Sequence, residues 1–536
     1  MNKLLKYAMF FLATGGLATG CTDLEEELVG DITEEITFTD PSGGPGGGSV
    51  SALTAAYAEL RNAGTANHGG YYSLQELPTD EMVIGAKGGD WFDGGILIEL
   101  HRHTYTSTHA FVNNTWNATY NAINTVNEVL ARTGEDALTP EETAQARALR
   151  AYFYWRLLDL YGNVKIVTTP GVDAPQTDRA TLFNFIEDEL LAALGISEVS
   201  TGMDLSGSAL ADGGSAYVLN RYGALGILAN LYLNAEVYTG TPMYDKAEIA
   251  ADYIISSGVY QLCGDGCAVA NLGKRKGVPS DPDMLEGYAA VFAPNNEGNP
   301  EHIFSVLYDE ATGTGMNFSQ MNLHYASQFT YNLQSQPWNG YATLEEFYNS
   351  YEDGDVRKQN NFLVGKQFDF NGDPVLDYAA DDDDIILEYT PEINELAPNY
   401  LRQAGARPAK FSYKQFGRDN MNNDFPIVRL GQMYLIRAEA KARQAGDWTA
   451  AEPDVNVIRA RAKVPEYNGN LTEEEFLAEL GREMFQETTR RTDLIRFGKY
   501  NDPWWEKPAS EPFRNIFPIP FEQIQAGSGL TQNPGY

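Results

Sequence analysis

Residues 87–93 read KGGDWFD, and Gly94 and Gly95 follow. Glycines on both sides favour a tight, projecting loop. At its tip stand Trp91 and Phe92, bracketed by Asp90 and Asp93. A sugar ring offers an apolar C–H face and a rim of hydroxyls, so holding one takes an exposed aromatic ring beside planar polar groups. This loop carries that set. Its other reading is mechanical, with Trp91 plugging the loop onto the body. A second segment has the same ingredients: Tyr325, Tyr331, Gln334, Gln336, Trp338, Asn339 and Tyr341. Within it, QPWNGY at 336–341 reads as a turn that displays Trp338; local packing of the segment is the alternative.

Other reactive residues are weaker candidates. His101 and His103 would share a face on a strand and could ligate metal, with His109 nearby. No Cys or Glu stands at a recognisable spacing, so a core or polar role is expected, with hydroxyl contacts to a ligand as a second use. DFNGD at 369–373 lacks the glycine position of an EF-hand loop, and Asp381 to Asp384 read with it as solvated turns. Cys263 and Cys267 could close a small disulfide loop in an oxidising compartment, although spacing alone leaves it open. The 74 acidic residues offer many carboxylate pairs for glycoside hydrolysis, and no motif singles one out.

The chain has 536 residues and a net charge of −36. Such a field repels phosphate backbones, so nucleic-acid partners are excluded, and it favours a neutral ligand over an anionic one. Lys3 and Lys6, the apolar run Tyr7 to Leu17 and the small residues before Cys21 read as a secretory signal over 1–20. Cys21 in that setting resembles a bacterial lipobox, which implies lipidation of its thiol. The acidic run Thr22 to Glu27 resembles a surface-export signal, or is a solvated linker. PSGGPGGGS at 41–49 completes an acidic, glycine-rich tether over 21–49. No other stretch is long and apolar enough to span a bilayer, which predicts anchoring by lipid only.

These loops need a frame. Trp116, Tyr120, Ile123 and Leu130 fall on one helical face, as do Ala148, Ala151, Tyr152, Trp155 and Leu158. Ala224 to Ala235 form a third stripe, followed by Tyr244 to Ala250. Leu435 to Ala445 form a fourth, followed by Trp448 to Ile458. Paired helices with small residues at their crossings resemble tetratricopeptide units. From about 261 to 425 the pattern turns irregular, rich in Asn, Gly, Asp, Pro and aromatics. The prediction is a mainly α body over 50–536 with a large loop-rich insertion forming the ligand side.

Six landmarks run in order along the chain: ELPTDE at 76–81, LRAYFYWRLLDLYGNV at 149–164, LYLNAEVYTG at 231–240, PIVRLGQMYLIRAEAKAR at 426–443, REMFQETTRRTDLIRFGK at 482–499, and FPIPFEQI before a terminal LTQNPGY. The set resembles the SusD/RagB family of surface glycan-binding lipoproteins. Thr488 departs from it, standing where the family has Gly. The resemblance implies a SusD-like fold, binding without catalysis, and a SusC-like TonB-dependent outer-membrane transporter beneath the protein as partner. It implies that Trp91 and an aromatic of the second segment, Trp338 or Tyr331, contact glycan, with no cofactor. It also implies a possible calcium site near 422–426, where Asn422 replaces an expected Asp and Asp424 is kept. The expected function is capture of an oligo- or polysaccharide, a neutral glucan of α or β linkage, and its delivery to the transporter at the outer membrane, facing outward. The alternatives are a surface glycoside hydrolase and a helical-repeat lipoprotein that binds peptides or proteins.

Overall fold

The computed structural model describes residues 53–311, 315–379 and 385–536. The leader, Cys21, the tether and Asp381 to Asp384 lie outside the described residues. The described residues group into one compact unit.

Nine helices of nine or more residues can be numbered among the described residues: α1 Thr54–Asn62, α2 Ala110–Leu130, α3 Pro140–Leu160, α4 Arg179–Leu194, α5 Arg221–Leu233, α6 Tyr244–Ser256, α7 Leu430–Ala445, α8 Glu452–Ala462 and α9 Glu473–Met484. Their starts are written locally. Thr139 and Glu142 form a reciprocal capping box on α3, with Pro140 in the first turn. Asp178, Asn220 and Thr472 cap α4, α5 and α9 with side-chain oxygens.

Each of α1 to α7 packs on the next in chain order. The apolar stripes lie in α2, α3, α5 and α7, except that Ala235 of the third begins a short helix after α5, and the expected pairs α5–α6 and α7–α8 are present. The most extensive of these contacts is α6 on α7, although 173 residues of chain separate Ser256 from Leu430. The insertion therefore leaves and rejoins the helical stack at one place without breaking it. Small residues make that crossing close: Ala247, Ala250 and Ala251 of α6, and Ala440 of α7, are buried.

The insertion itself is short strands, short helices and turns. Strand β1 (Met82–Val83) pairs antiparallel with β3 (Ala342–Thr343), and β2 (His302–Val306) pairs antiparallel with β4 (Phe425–Arg429). A buried ionic network ties it to the helices. Arg429 bonds Glu301, Glu483 and Glu487, Arg461 bonds Glu301 and Glu483, and Arg357 bonds Asp355, Glu479 and Glu483. Removing one member of such a network typically costs about 3–5 kcal/mol, because a partner charge is left buried and unpaired. Cys263 and Cys267 are joined in a disulfide.

The histidines do not lie on a strand. His101 ends a short helix, Ile96–His101, and faces the carbonyl of Trp505 at 2.8 Å. His103 has a left-handed backbone (φ 54°) and bonds Ser510 Oγ and the Pro78 carbonyl, each at 3.0 Å. His109 caps α2, its Nδ1 accepting from Phe111 N–H. All three are structural side chains with their rings in the core.

Candidate functional site

The two aromatic segments come together because their roots are paired. Strand β1 leads into the loop at 84–95, and the turn at 336–341 leads into β3. The β1–β3 pair therefore delivers both loops to one place.

The first loop opens with a tight turn. Lys87 N–H donates to the Asp90 carbonyl at 2.8 Å and Asp90 N–H to that of Lys87 at 3.3 Å. Gly88 sits at φ 70°, a backbone that disfavours any side chain. The Lys87 ammonium is folded beneath the turn, donating to the Gly85 carbonyl at 3.0 Å above the Tyr400 ring. Burial, and then Arg407 close by, hold its pKa well below the ordinary lysine value.

Trp91 follows with φ 58°, and its indole N–H donates to the Trp338 carbonyl at 2.6 Å. One tryptophan thus pins the backbone of the other, and Trp91 is half-buried. The turn it meets lies on residues 320–323. Trp338 N–H donates to the Gln320 carbonyl at 2.6 Å, and Gly340 N–H to that of Met321 at 2.7 Å. Gly340 has no room for a side chain, since a Cβ would stand 2.8 Å from the Met321 carbonyl and 3.1 Å from the Trp91 ring.

The exposed rings of the site are Trp338, 41% accessible, and Phe92, 48% accessible. Around them lie carboxylates and a guanidinium. Asp90 accepts from the Tyr325 hydroxyl. Burial first, and then that carboxylate, push the hydroxyl's pKa up. Asp93 is exposed on the same loop, and Arg402 is exposed beside Asn339. The set offers apolar surface, hydrogen-bond acceptors and a planar donor together.

His68 belongs to the site too. Its ring meets Trp338 edge-on at 5.6 Å, and its Nδ1 accepts from the Asn317 amide at 2.7 Å. Burial lowers its pKa against the opposing pull of Asp93, so it stands neutral at pH 7. Nothing around residue 68 marks it in the sequence, because its partner Trp338 comes 270 residues later.

Three expected residues have other work. The Tyr341 ring is fully buried, hydrogen-bonded to Ser73 Oγ at 2.5 Å and edge-on to Tyr72. Asn339 is buried with φ 59° and holds the turn by donating to the Arg402 carbonyl at 3.1 Å. Tyr331 is half-buried against Tyr413, rings 5.3 Å apart. Asp424 is likewise engaged: Tyr217 O–H donates to one carboxylate oxygen at 2.5 Å and Tyr308 N–H to the other at 3.3 Å. Among the described residues no group of three or more His, Cys, Asp and Glu side chains is placed to hold a metal ion, and none of their helices is long and apolar enough to cross a membrane.

A family model described as SusD family matches residues 300–536. A second, described as starch-binding associating with outer membrane, matches residues 62–203. The starch-binding protein SusD of Bacteroides thetaiotaomicron is 26% identical over 453 residues, covering 75% of this chain and 74% of its own. SusD-like protein P25 of Formosa agariphila is 24% identical over 525 residues, covering 87% and 91%. A laminarin-binding SusD-like protein shares the fold at TM-score 0.65 and 21% identity, covering 90% of this chain and 98% of its own. Surface glycan-binding protein A from Bacteroides uniformis does so at TM-score 0.66 and 18% identity, with the same coverage. Both family models, these relatives and the shared fold agree, and the chain is similar to SusD-family proteins along most of its length.

Proposed function

We propose that the protein is a carbohydrate-binding protein of the outer membrane that captures a neutral glycan and hands it on without cleaving it. The carrying observation is the junction of Trp91 and Trp338, which leaves Trp338 and Phe92 accessible beside Asp90, Asp93 and Arg402. Aromatic faces with planar polar neighbours suit the apolar and hydroxyl sides of a sugar ring. The relatives whose names specify a ligand bind starch and laminarin, both neutral glucans, and a chain of net charge −36 repels anionic polymers. On this reading a glucan is the first ligand to try. Lipidation of Cys21 holds the protein on the membrane, facing outward. A SusC-like TonB-dependent barrel receives the glycan.

Calorimetric titration of a soluble form beginning at Thr22 tests the reading, against starch, laminarin, levan and an anionic polysaccharide. Saturable binding of one neutral glycan without release of reducing sugar supports it, whereas turnover of the glycan sinks it. Mass spectrometry of the membrane-extracted protein, beside Cys21→Ser, tests the anchor.

A further inference from the structure

Phe416 is 60% accessible and has φ 61°. A bulky side chain in a left-handed backbone is strained, and this ring recovers little of that strain by burial. The Phe370 ring lies beside it, centroids 6.0 Å apart and tilted 58°. Polar residues follow Phe416 along the chain, although neither phenylalanine lines the crevice they border. The segment 414–422 borders a shallow crevice lined by Glu310, Lys414, Arg418, Asn420 and Asn422, in which Lys414 pairs with Glu310 at 2.5 Å. An exposed apolar pair, with amides and charged groups supplied by the neighbouring residues of the same segment, is the arrangement a sugar ring needs. A protein interface would call for a broader apolar patch.

The pair is also tied to the first site. Phe416 N–H donates to the Tyr331 carbonyl at 2.8 Å, and Gln334 N–H to that of Gly417 at 3.0 Å. Trp338 comes four residues after Gln334, a span of at most about 14 Å. The backbones of Phe416 and Trp338 therefore stand within about 25 Å of each other.

We infer that Phe416 and Phe370 form a second carbohydrate-binding surface, engaged by a further stretch of the same glycan chain held at Trp338. The inference rests on the carbohydrate reading above. It makes the natural ligand a long chain, because a trisaccharide occupies one surface and a polymer bridges both. Bridging raises affinity through effective concentration.

The test compares maltotriose and laminaritriose with soluble starch and laminarin on the full mature protein. Phe416→Asn is the informative variant, because Asn suits the left-handed backbone and the fold is retained. Its melting temperature should equal or exceed that of the wild type. Polymer affinity should fall by about tenfold or more while trisaccharide affinity holds. Phe370→Ala should repeat the loss. Phe521→Ala, an exposed ring elsewhere, should change neither.

A Phe416→Asn protein that binds polymer like the wild type overturns the second surface and leaves the first standing. So does equal weakening of polymer and trisaccharide. Unchanged polymer binding with loss of a co-purifying barrel protein would assign the ring to a protein contact instead. Wild-type silence toward every probe, levan and the anionic polymer included, would overturn the carbohydrate reading and this inference with it.

Discussion

A single indole N–H decides how the candidate site is built. Trp91 donates it to the Trp338 carbonyl, so one ring is a fastener and the other a contact surface. Trp338→Ala removes the accessible ring, and glycan affinity should drop by about tenfold or more, within the range that one stacking ring contributes. Trp91→Phe keeps a ring but leaves the carbonyl without its donor, and a loss of about fivefold is expected, near 1 kcal/mol. Titration of both variants checks the order; a larger loss for Trp91→Phe would reverse the two roles. Thr488 tells a second residue-scale story. Its φ is 62°, which explains why a glycine suits this place. A β-branched residue there is strained. Its N–H still donates to Glu76 Oε1 at 2.7 Å. Thr488→Gly should keep that bond and raise unfolding stability by about 1 kcal/mol, read from the urea midpoint.

The elements beneath the site hold an unusual pair of acids. Glu76 ends the short helix Tyr71–Glu76, and Glu81 immediately precedes β1, the strand that carries the Trp91 loop. Both carboxyls are buried, and both carboxylate oxygens of Glu81 lack a hydrogen-bond donor when it is ionised. Burial pushes both pKa values up, that of Glu76 to about 7, and the charge of Glu76 raises that of Glu81 further. A raised carboxyl pKa favours the folded state while the group is protonated. That contribution is complete below the ordinary pKa near 4.5 and is lost as pH rises through about 7. Glu76→Gln imitates the protonated acid permanently. Between pH 4.5 and 8 the wild-type melting temperature should therefore fall more steeply than that of Glu76→Gln, by the equivalent of about 2–3 kcal/mol. Parallel pH profiles would remove Glu76 as the titrating group.

At the scale of the whole molecule, charge and architecture set what the site can take. Net charge −36 surrounds a site in which the lysine of the Trp91 loop, Lys87, is turned inward. Uncharged sugar rings ignore that field. Affinity for a neutral glycan should change by less than about twofold between 0.05 and 0.5 M NaCl, while an anionic polymer should gain only as salt screens repulsion. A strong salt dependence with the neutral ligand would overturn this, because Asp90, Asp93 and Arg402 meet sugar hydroxyls as hydrogen-bonding groups and not as ion pairs. The α6–α7 contact matters here too, because it seats a long, irregular insertion on a continuous helical stack. The buried arginines then fix the insertion to that stack through Glu301, Glu479, Glu483 and Glu487.

What was legible in the amino-acid order is what depends on near neighbours. Helical stripes repeat every three to four residues, so α2, α3, α5 and α7 could be read directly. The irregular run from about 261 to 425 was equally plain, since α6 ends at Ser256 and β4 begins at Phe425. Both aromatic loops were visible as glycine-flanked or turn-forming clusters. Which aromatic faces solvent was not legible, because accessibility depends on partners far along the chain. Tyr341 is buried by Ser73 and Tyr72, and Trp338 gains His68 as a neighbour. Phe416 looked like any other ring in a loop, and its exposure follows from the turn that hydrogen-bonds to Tyr331 and Gln334. The sequence determined the helices and the supply of aromatic and polar groups by local periodicity. The tertiary structure decided which of those groups meet, because long-range pairing, β1 with β3 above all, sets which loops come together and which rings remain uncovered.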